Sequence, residues 1–244
     1  MKFVVIGGTG LIGGQVAGLL REQGHEVVAA SPSTGVNALT GEGVAQALTG
    51  ADVVVDVSNS PSFADDAVLE FFTTSTGVLL KAEEEAGVRH HVALSIVGAD
   101  RIPGSGYMRA KVAQEELISA SSVAHSVVRA TQFFEFAPAI AQMSTDDEGA
   151  VRLPTHGIQP IASAEVARIV AGVAVGEPLN GVVDIAGPQR YGLDEFVRLA
   201  VPGADVVTDP EGTYAGTKIT SDSLVPLGEA IVSEVSLPQW QATR

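Results

Sequence analysis

Hydrophobic positions along this chain alternate between two rhythms. Short β-branched runs are followed by stretches in which apolar residues return every three or four positions. "KFVVI" is such a run, and "LIGGQVAGLLREQG" behind it has helical spacing at Leu11, Val16, Leu19 and Leu20, stopping at Gly24 where a C-cap is expected. "EVVAA" predicts a second buried strand, "EGVAQALTG" a short helix closed by Gly50, and "ADVVVDVS" a third strand. Phe63 to Ala86 predicts a long helix with Gly77 as its weak point, and "VRHHVALSIVG" a fourth strand and its exit. Helical spacing returns from Tyr107 to Ser121, and "AHSVVRA" predicts a fifth strand. Beyond Phe133 the pattern loosens. "VRLP" and "IQPIAS" read as short strands or extended connections, "SAEVARIVAGVAVG" as a helix capped by Ser163, and "GVVDIAG" as another strand.

Strands that alternate with helices imply a parallel sheet. The expected fold class is therefore α/β, a Rossmann-type doubly wound parallel sheet with a small C-terminal substrate-binding region. Neither an internal repeat nor a Pro-, Gly- or Ser-rich linker separates independent domains. The expected layout is a nucleotide-binding core over residues 1–132 and a smaller region over 133–244, interleaved with the core and walling a substrate cleft.

Composition narrows the partners. With 244 residues, 45% hydrophobic and 18% charged, the chain reads as folded throughout. A net charge of −15 argues against nucleic acid and against an anionic membrane surface. The absence of cysteine excludes disulfides, zinc–thiolate sites and thiol nucleophiles, a pattern compatible with a reducing cytoplasm. The five histidines show no metal-binding spacing, and the adjacent His90 and His91 would point to opposite faces of a strand, so no metal site is expected. "MKFVVIGGTG" has too short an apolar run for a signal peptide, and no segment reaches the length of a bilayer span. The expectation is a soluble cytoplasmic protein, monomer or homodimer, whose partner is a small-molecule substrate.

Chemistry begins at "GGTGLIGG", which satisfies G-x-G-x-x-G through Gly8, Gly10 and Gly13 and G-x-x-G-x-x-G through Gly7, Gly10 and Gly13. The loop follows a strand and opens a helix, where glycines let the backbone approach a pyrophosphate and helix N–H groups face it. Gly7, Thr9, Gly10, Leu11, Ile12 and Gly13 are the expected cofactor contacts. The acid that would grip the adenine-ribose hydroxyl of NAD is replaced by Ser31. Between Arg21 and Lys81 there is no cation to grip the 2′-phosphate of NADP. Ser31, Ser33 and Thr34 can hydrogen-bond a phosphate, so NADP(H) is slightly preferred, with NAD(H) close behind.

"GGTGLIGG", "DVSNSP", "ALSIVGAD", "GYMRAK" and "VRATQFFEF", in this order, resemble an atypical short-chain dehydrogenase/reductase of the NmrA-like NAD(P)-binding type. The resemblance covers essentially the whole chain and implies roles residue by residue. Ser58 and Asn59 match the loop lining the ribose and phosphate side of the cofactor. Ser95 matches the serine that hydrogen-bonds the reacting carbonyl, Tyr107 the proton-transferring phenol, and Lys111 the lysine that holds the nicotinamide ribose. Ala130, Thr131 and Phe133 match the contacts to the nicotinamide end. Two departures stand out: Ala130 replaces the usual proline after the fifth-strand arginine, and the usual basic residue after the second strand is absent.

The spacing suits such chemistry. Hydride transfer to a ketone needs a proton donor, and an ammonium close to a phenol brings its pKa toward the working range. Residues four apart on a helix share a face, so Tyr107 and Lys111 can enter one cleft, while Arg109 between them projects elsewhere. Ser95 leaves a strand at its C-terminal end, where α/β sheets bind ligands, so the three groups are expected to converge on one atom. The expected activity is NAD(P)H-dependent oxidoreduction of a small carbonyl or alcohol. One alternative is a non-catalytic, dinucleotide-sensing regulator of the NmrA type. The other is a tailoring enzyme performing oxygenation, dehydration or isomerisation on an aromatic or polyketide-like substrate, supported by Phe133, Phe134 and Phe136.

Overall fold

The computed structural model describes residues 1–243. In chain order the first elements are β1 (Lys2–Ile6), α1 (Leu11–Glu22), β2 (Glu26–Ala30), α2 (Val44–Leu48), β3 (Val53–Asp56) and α3 (Asp65–Ala86). There follow β4 (His90–Ile96), α4 (Gly106–Ala120), β5 (His125–Ala130), α5 (Ala137–Met143), β6 (Val151–Leu153), β7 (Gly157–Ile158) and α6 (Ser163–Val175). The chain closes with β8 (Gly181–Ala186), β9 (Tyr191–Gly192), α7 (Leu193–Ala200), β10 (Val206–Thr208), β11 (Ala230–Val232) and α8 (Leu237–Gln241).

Seven strands form one mostly parallel sheet in the order β11-β8-β5-β4-β3-β1-β2, the Rossmann-type arrangement. β1 lies between β2 and β3, with Val4 level with Val28 on one side and Val54 on the other. Its apolar run without polar alternation is what a strand covered on both faces requires. Gly77 does not break α3, which runs unbroken to Ala86 and stops where Gly87 takes a φ of 72°. Thr76, Leu79 and Leu80 beside that glycine are buried, and their packing outweighs its intrinsic cost of about 1 kcal/mol. No helix among the described residues is long and apolar enough to cross a membrane.

The chain falls into two compact units, each assembled from separate segments. One comprises Met1–Ser95, Gly106–Arg129 and Val166–Val183; the other comprises Ile96–Ser105, Ala130–Glu165 and Asp184–Arg244. Inside the first, Val4, Ile6, Leu48, Val54 and Leu79 belong to one apolar cluster on the sheet. Inside the second, Phe134 meets Trp240 at 5.3 Å and Phe196 at 6.4 Å between ring centroids. Glu135 in that unit accepts hydrogen bonds from the Ser163 hydroxyl at 2.6 Å and the Ser163 amide at 3.1 Å, fixing the start of α6.

The two adjacent histidines of β4 point to different partners, and both are buried. His90 Nε2 lies 2.8 Å from the Ser126 hydroxyl on β5, and burial, aided by His91 and His125, pushes its pKa down to about 4. His91 Nδ1 lies 2.9 Å from both carboxylate oxygens of Glu83 on α3. Burial works against a charge on His91, but the Glu83 carboxylate, by charge and by hydrogen bond, and Asp56 behind it outweigh that and raise the pKa.

A raised folded-state histidine contributes stability that is fully present below its unfolded value, near 6.5, and fades as the pH climbs through the folded value. Urea denaturation of the wild type from about pH 6 to 9 should therefore show a decline that Glu83→Gln lacks. At the acid end the variant should be weaker by roughly 3 kcal/mol, the scale of breaking a buried pair. Superimposable pH profiles for the two proteins would refute the pairing.

Candidate functional site

β1 delivers the chain into a loop that turns back on itself. Gly7 has a φ of 78°, and the amide of Gly10 donates to the Gly7 carbonyl at 2.9 Å. A Cβ on Gly8 would stand 2.7 Å from the Ala29 Cα, and one on Gly13 would run into the Gly7 carbonyl and the Gly8 Cα. Backbone therefore meets backbone here, and only glycine fits. α1 then opens with no side-chain cap and no acidic residue in its first turn, so no side chain of that turn neutralises its first N–H groups. A pyrophosphate fits this cradle, which places negative charge on the positive end of a 12-residue helix. Thr9, Gly10 and Leu11 are exposed at the mouth of the loop, whereas Ile12 and Gly13 are buried under it.

The exit of β3 packs against this turn, for a Cβ on Gly7 would lie 2.9 Å from the Ser58 amide nitrogen. Ser58 closes a tight turn by donating its hydroxyl (2.6 Å) and its amide (3.0 Å) to Asp56 Oδ1. Asn59 is exposed, and its Oδ1 accepts from the Ser60 amide at 2.9 Å and from the Tyr107 phenol at 2.8 Å. At the end of β2 the three hydroxyls occupy one turn. Ser31 Oγ is 2.8 Å from Ser33 Oγ, and Thr34 Oγ1 accepts from the Ser31 amide at 2.9 Å. A ligand oxygen at this turn would have to compete with these bonds.

Tyr107 and Lys111 both sit on α4, but their polar ends diverge. The Tyr107 ring packs against Phe63 at 5.6 Å and Phe72 at 5.9 Å, and burial pushes its phenol up to about 12, with the Asn59 hydrogen bond acting the other way. The lowering expected from a lysine four residues on is not found, because the Lys111 amine is turned to other oxygens. It donates to the Leu94 carbonyl at 2.8 Å and to Gln114 Oε1, and lies 4.2 Å from the centre of the Phe72 ring. Burial pushes Lys111 down to about 8, against the pull of Asp56 and Glu115. Ser95 is buried and gives its proton to Glu115 Oε1 at 2.5 Å, and the same carboxylate is gripped by Arg129 Nε at 3.0 and 3.2 Å. Ser95, Tyr107 and Lys111 thus have three separate sets of hydrogen-bond partners, although Phe72 touches both Tyr107 and Lys111. Arg109 between the helix pair leans to Asp65 at 2.7 Å.

In the second unit, Ala130 ends β5 with its carbonyl accepting from the Val97 amide at 2.9 Å. The Thr131 hydroxyl donates to the Gln159 carbonyl at 2.6 Å. Phe133 is buried and stacked on Phe136 at 4.9 Å, Phe136 is exposed, and Phe134 belongs to the core.

Sequence patterning passed over Asp56, Gln114, Glu115 and Arg129, whose side chains hold the site's polar groups in place. Gln114 and Glu115 stand three and four residues after Lys111, on the same helix face, and Asp56 ends a strand at the ligand-binding rim; these signals were available.

No protein-family model matches the chain. The photosystem II assembly factor Ycf39 of Synechocystis sp. (strain ATCC 27184 / PCC 6803 / Kazusa) is 24% identical over 82% of the chain. The chain spans 66% of the length of that relative. Among solved structures, MoeE5 in complex with UDP-glucose and NAD superposes with a TM-score of 0.72 at 17% identity, over 100% of this chain and 97% of that one. A short-chain dehydrogenase/reductase superfamily protein from Agrobacterium tumefaciens with bound NAD gives 0.66 at 18% identity, over 86% and 85%. At these identities the likeness establishes the fold.

The glycine geometry predicts opposite effects of one substitution at two places. Gly13→Ala should destabilise by about 1–3 kcal/mol, because its neighbours are backbone and cannot step aside. Gly18→Ala, in the interior of α1 with nothing within 4 Å of the new methyl, should stabilise by roughly 0.5–1 kcal/mol. Denaturant melts of both variants decide it, and a Gly13→Ala protein as stable as wild type would contradict the close approach.

Proposed function

Taking the chain as an atypical short-chain dehydrogenase/reductase of the NmrA-like type, we propose that it binds a nicotinamide dinucleotide on its glycine loop and reduces a small carbonyl compound. Tyr107 is the proton donor, Lys111 holds the nicotinamide ribose, and Ser95 holds the substrate oxygen. The observation that carries this reading is the placement of the Tyr107 phenol, hydrogen-bonded at 2.8 Å to Asn59 on the turn after β3, whose Ser58 packs on the glycine loop. Burial pushes that phenol up to about 12, so it holds its proton at neutral pH and can donate it to a carbonyl oxygen, the step whose reverse oxidises an alcohol.

The chemistry supplied by a bound reduced dinucleotide is a hydride to the carbonyl carbon. Tyr107 passes its proton to the carbonyl oxygen as the C–O double bond opens, and the resulting phenolate is reprotonated from solvent beside exposed Asn59. Ser95 takes part by exchanging Glu115 for the substrate oxygen, so its contribution is smaller than that of Tyr107. The dinucleotide is NADP(H) or NAD(H), with a slight preference for the former because hydroxyls and no carboxylate stand at the end of β2. Without a cation there, discrimination stays below about tenfold.

A second reading has its own support. The Ser95 hydroxyl is given to Glu115, and the curated relative carries the name of an assembly factor. On that reading the chain binds dinucleotide and acts on a protein partner without turnover.

Stopped-flow oxidation of NADH and NADPH against a panel of carbonyl compounds separates the two. Tyr107→Phe should slow turnover by about 100-fold or more while the dinucleotide Kd changes by less than about twofold, and Ser95→Ala should fall between. Equal rates for wild type and Tyr107→Phe would show the acid role to be wrong. Tight dinucleotide binding without turnover in either protein would favour the second reading.

A further inference from the structure

The Lys111 amine stands at the centre of a polar chain that the proposed chemistry does not use. The residue is 3% exposed, and its amine is held by groups from three elements. β4 contributes the Leu94 carbonyl, α3 the face of the Phe72 ring, and α4 the Gln114 amide oxygen. The charged groups acting on it are Asp56, at the end of β3, and Glu115, on its own helix.

Asp56 acts across Gln114. Its Oδ2 accepts from Gln114 Nε2 at 3.0 Å, and its Oδ1 is held by the Ser58 hydroxyl and amide. A carboxamide offers a donor at one end and an acceptor at the other, and here both ends are used in register, nitrogen to the carboxylate and oxygen to the amine. Asp56 therefore fixes which way the Gln114 amide faces. The Ser58 turn, which packs on the glycine loop, fixes Asp56. The chain of bonds thus runs from the loop to the amine without a direct ion pair, and a direct pair would draw the amine toward β3.

We infer that Gln114 is a positioning residue for Lys111, its amide, oriented by Asp56, setting where the amine stands and how firmly it keeps its proton. The inference rests on the reading that Lys111 holds the nicotinamide ribose, and it is testable apart from that reading.

The chain has four lysines, Lys2, Lys81, Lys111 and Lys218, so the ε-carbon NMR signals of lysine-labelled protein can be assigned by single substitution. In the ligand-free protein Lys111 should titrate below the ordinary lysine value. Gln114→Glu sets a carboxylate against the amine and should raise the Lys111 midpoint by about 1 pH unit or more. Gln114→Met keeps the volume, removes the acceptor and should lower the midpoint. If neither variant moves it, the positioning role is overturned.

Fluorescence titrations with NADH and with NADPH form the second arm. Wild-type affinity should fall as pH rises through the Lys111 midpoint, the break should follow the NMR midpoint in both Gln114 variants, and Lys111→Met should show no break. Gln114→Met should bind roughly tenfold more weakly, the scale of one hydrogen bond to a charged group. If Lys111→Met binds both dinucleotides like wild type at every pH, the ribose role fails while the NMR result still judges Gln114. If the lysine matters and the Gln114 variants match wild type in both arms, the inference fails alone.

Discussion

An amine withdrawn from water must be surrounded by groups that replace its solvation, and around Lys111 this requirement organises the site-bearing half of the molecule. The carbonyl of Leu94 has no side-chain substitute, so α4 must lie over the exit of β4 at one register. The Phe72 ring has to present its face to the amine, which ties α3 to α4; Val68, Phe72 and Ala110 form the apolar patch that holds the two helices together there. Gln114 completes the shell and brings Asp56 with it, and through Asp56 the exit of β3 is fixed beside the glycine loop. One buried nitrogen thus constrains the ends of β3 and β4 and the packing of α3.

Those ends were legible from sequence to different degrees. β1 and β3 stood out because each is an apolar run bounded by turn residues, the form a doubly covered strand must take, while β2, β4 and β5 showed the apolar cores VVAA, VAL and VV. The second unit was less legible because its elements are short. α5, α7 and α8 have 7, 8 and 5 residues, too few turns for helical periodicity to separate from chance, and β7 and β9 have two residues each. α3 shows the opposite failure. Gly77 looked like a weak point because propensity is local, while the packing of Leu79 and Leu80 that overrides it comes from elements distant in sequence.

Within the site, spacing placed Tyr107 and Lys111 on one helix face but said nothing of where their polar ends go. A phenol is rigid and stops at Asn59, whereas a four-carbon stem reaches past it to Leu94 and Gln114. The Glu83–His91 pair and the Ser95–Glu115–Arg129 chain were out of reach for a related reason. Their members come from α3 and β4, or from β4, α4 and β5, and nothing in a linear pattern announces a partner on another element.

Burial acts on the two α4 groups in opposite directions with one chemical consequence. It raises the phenol to about 12 and lowers the amine to about 8, so in both cases the uncharged form gains. For the phenol the uncharged form is the protonated one, which is the donor a carbonyl reduction requires. For the amine it is the deprotonated one, and the charges of Asp56 and Glu115 oppose that loss. These two charges, which pull the amine the other way, therefore help both α4 groups to hold a proton at the same pH.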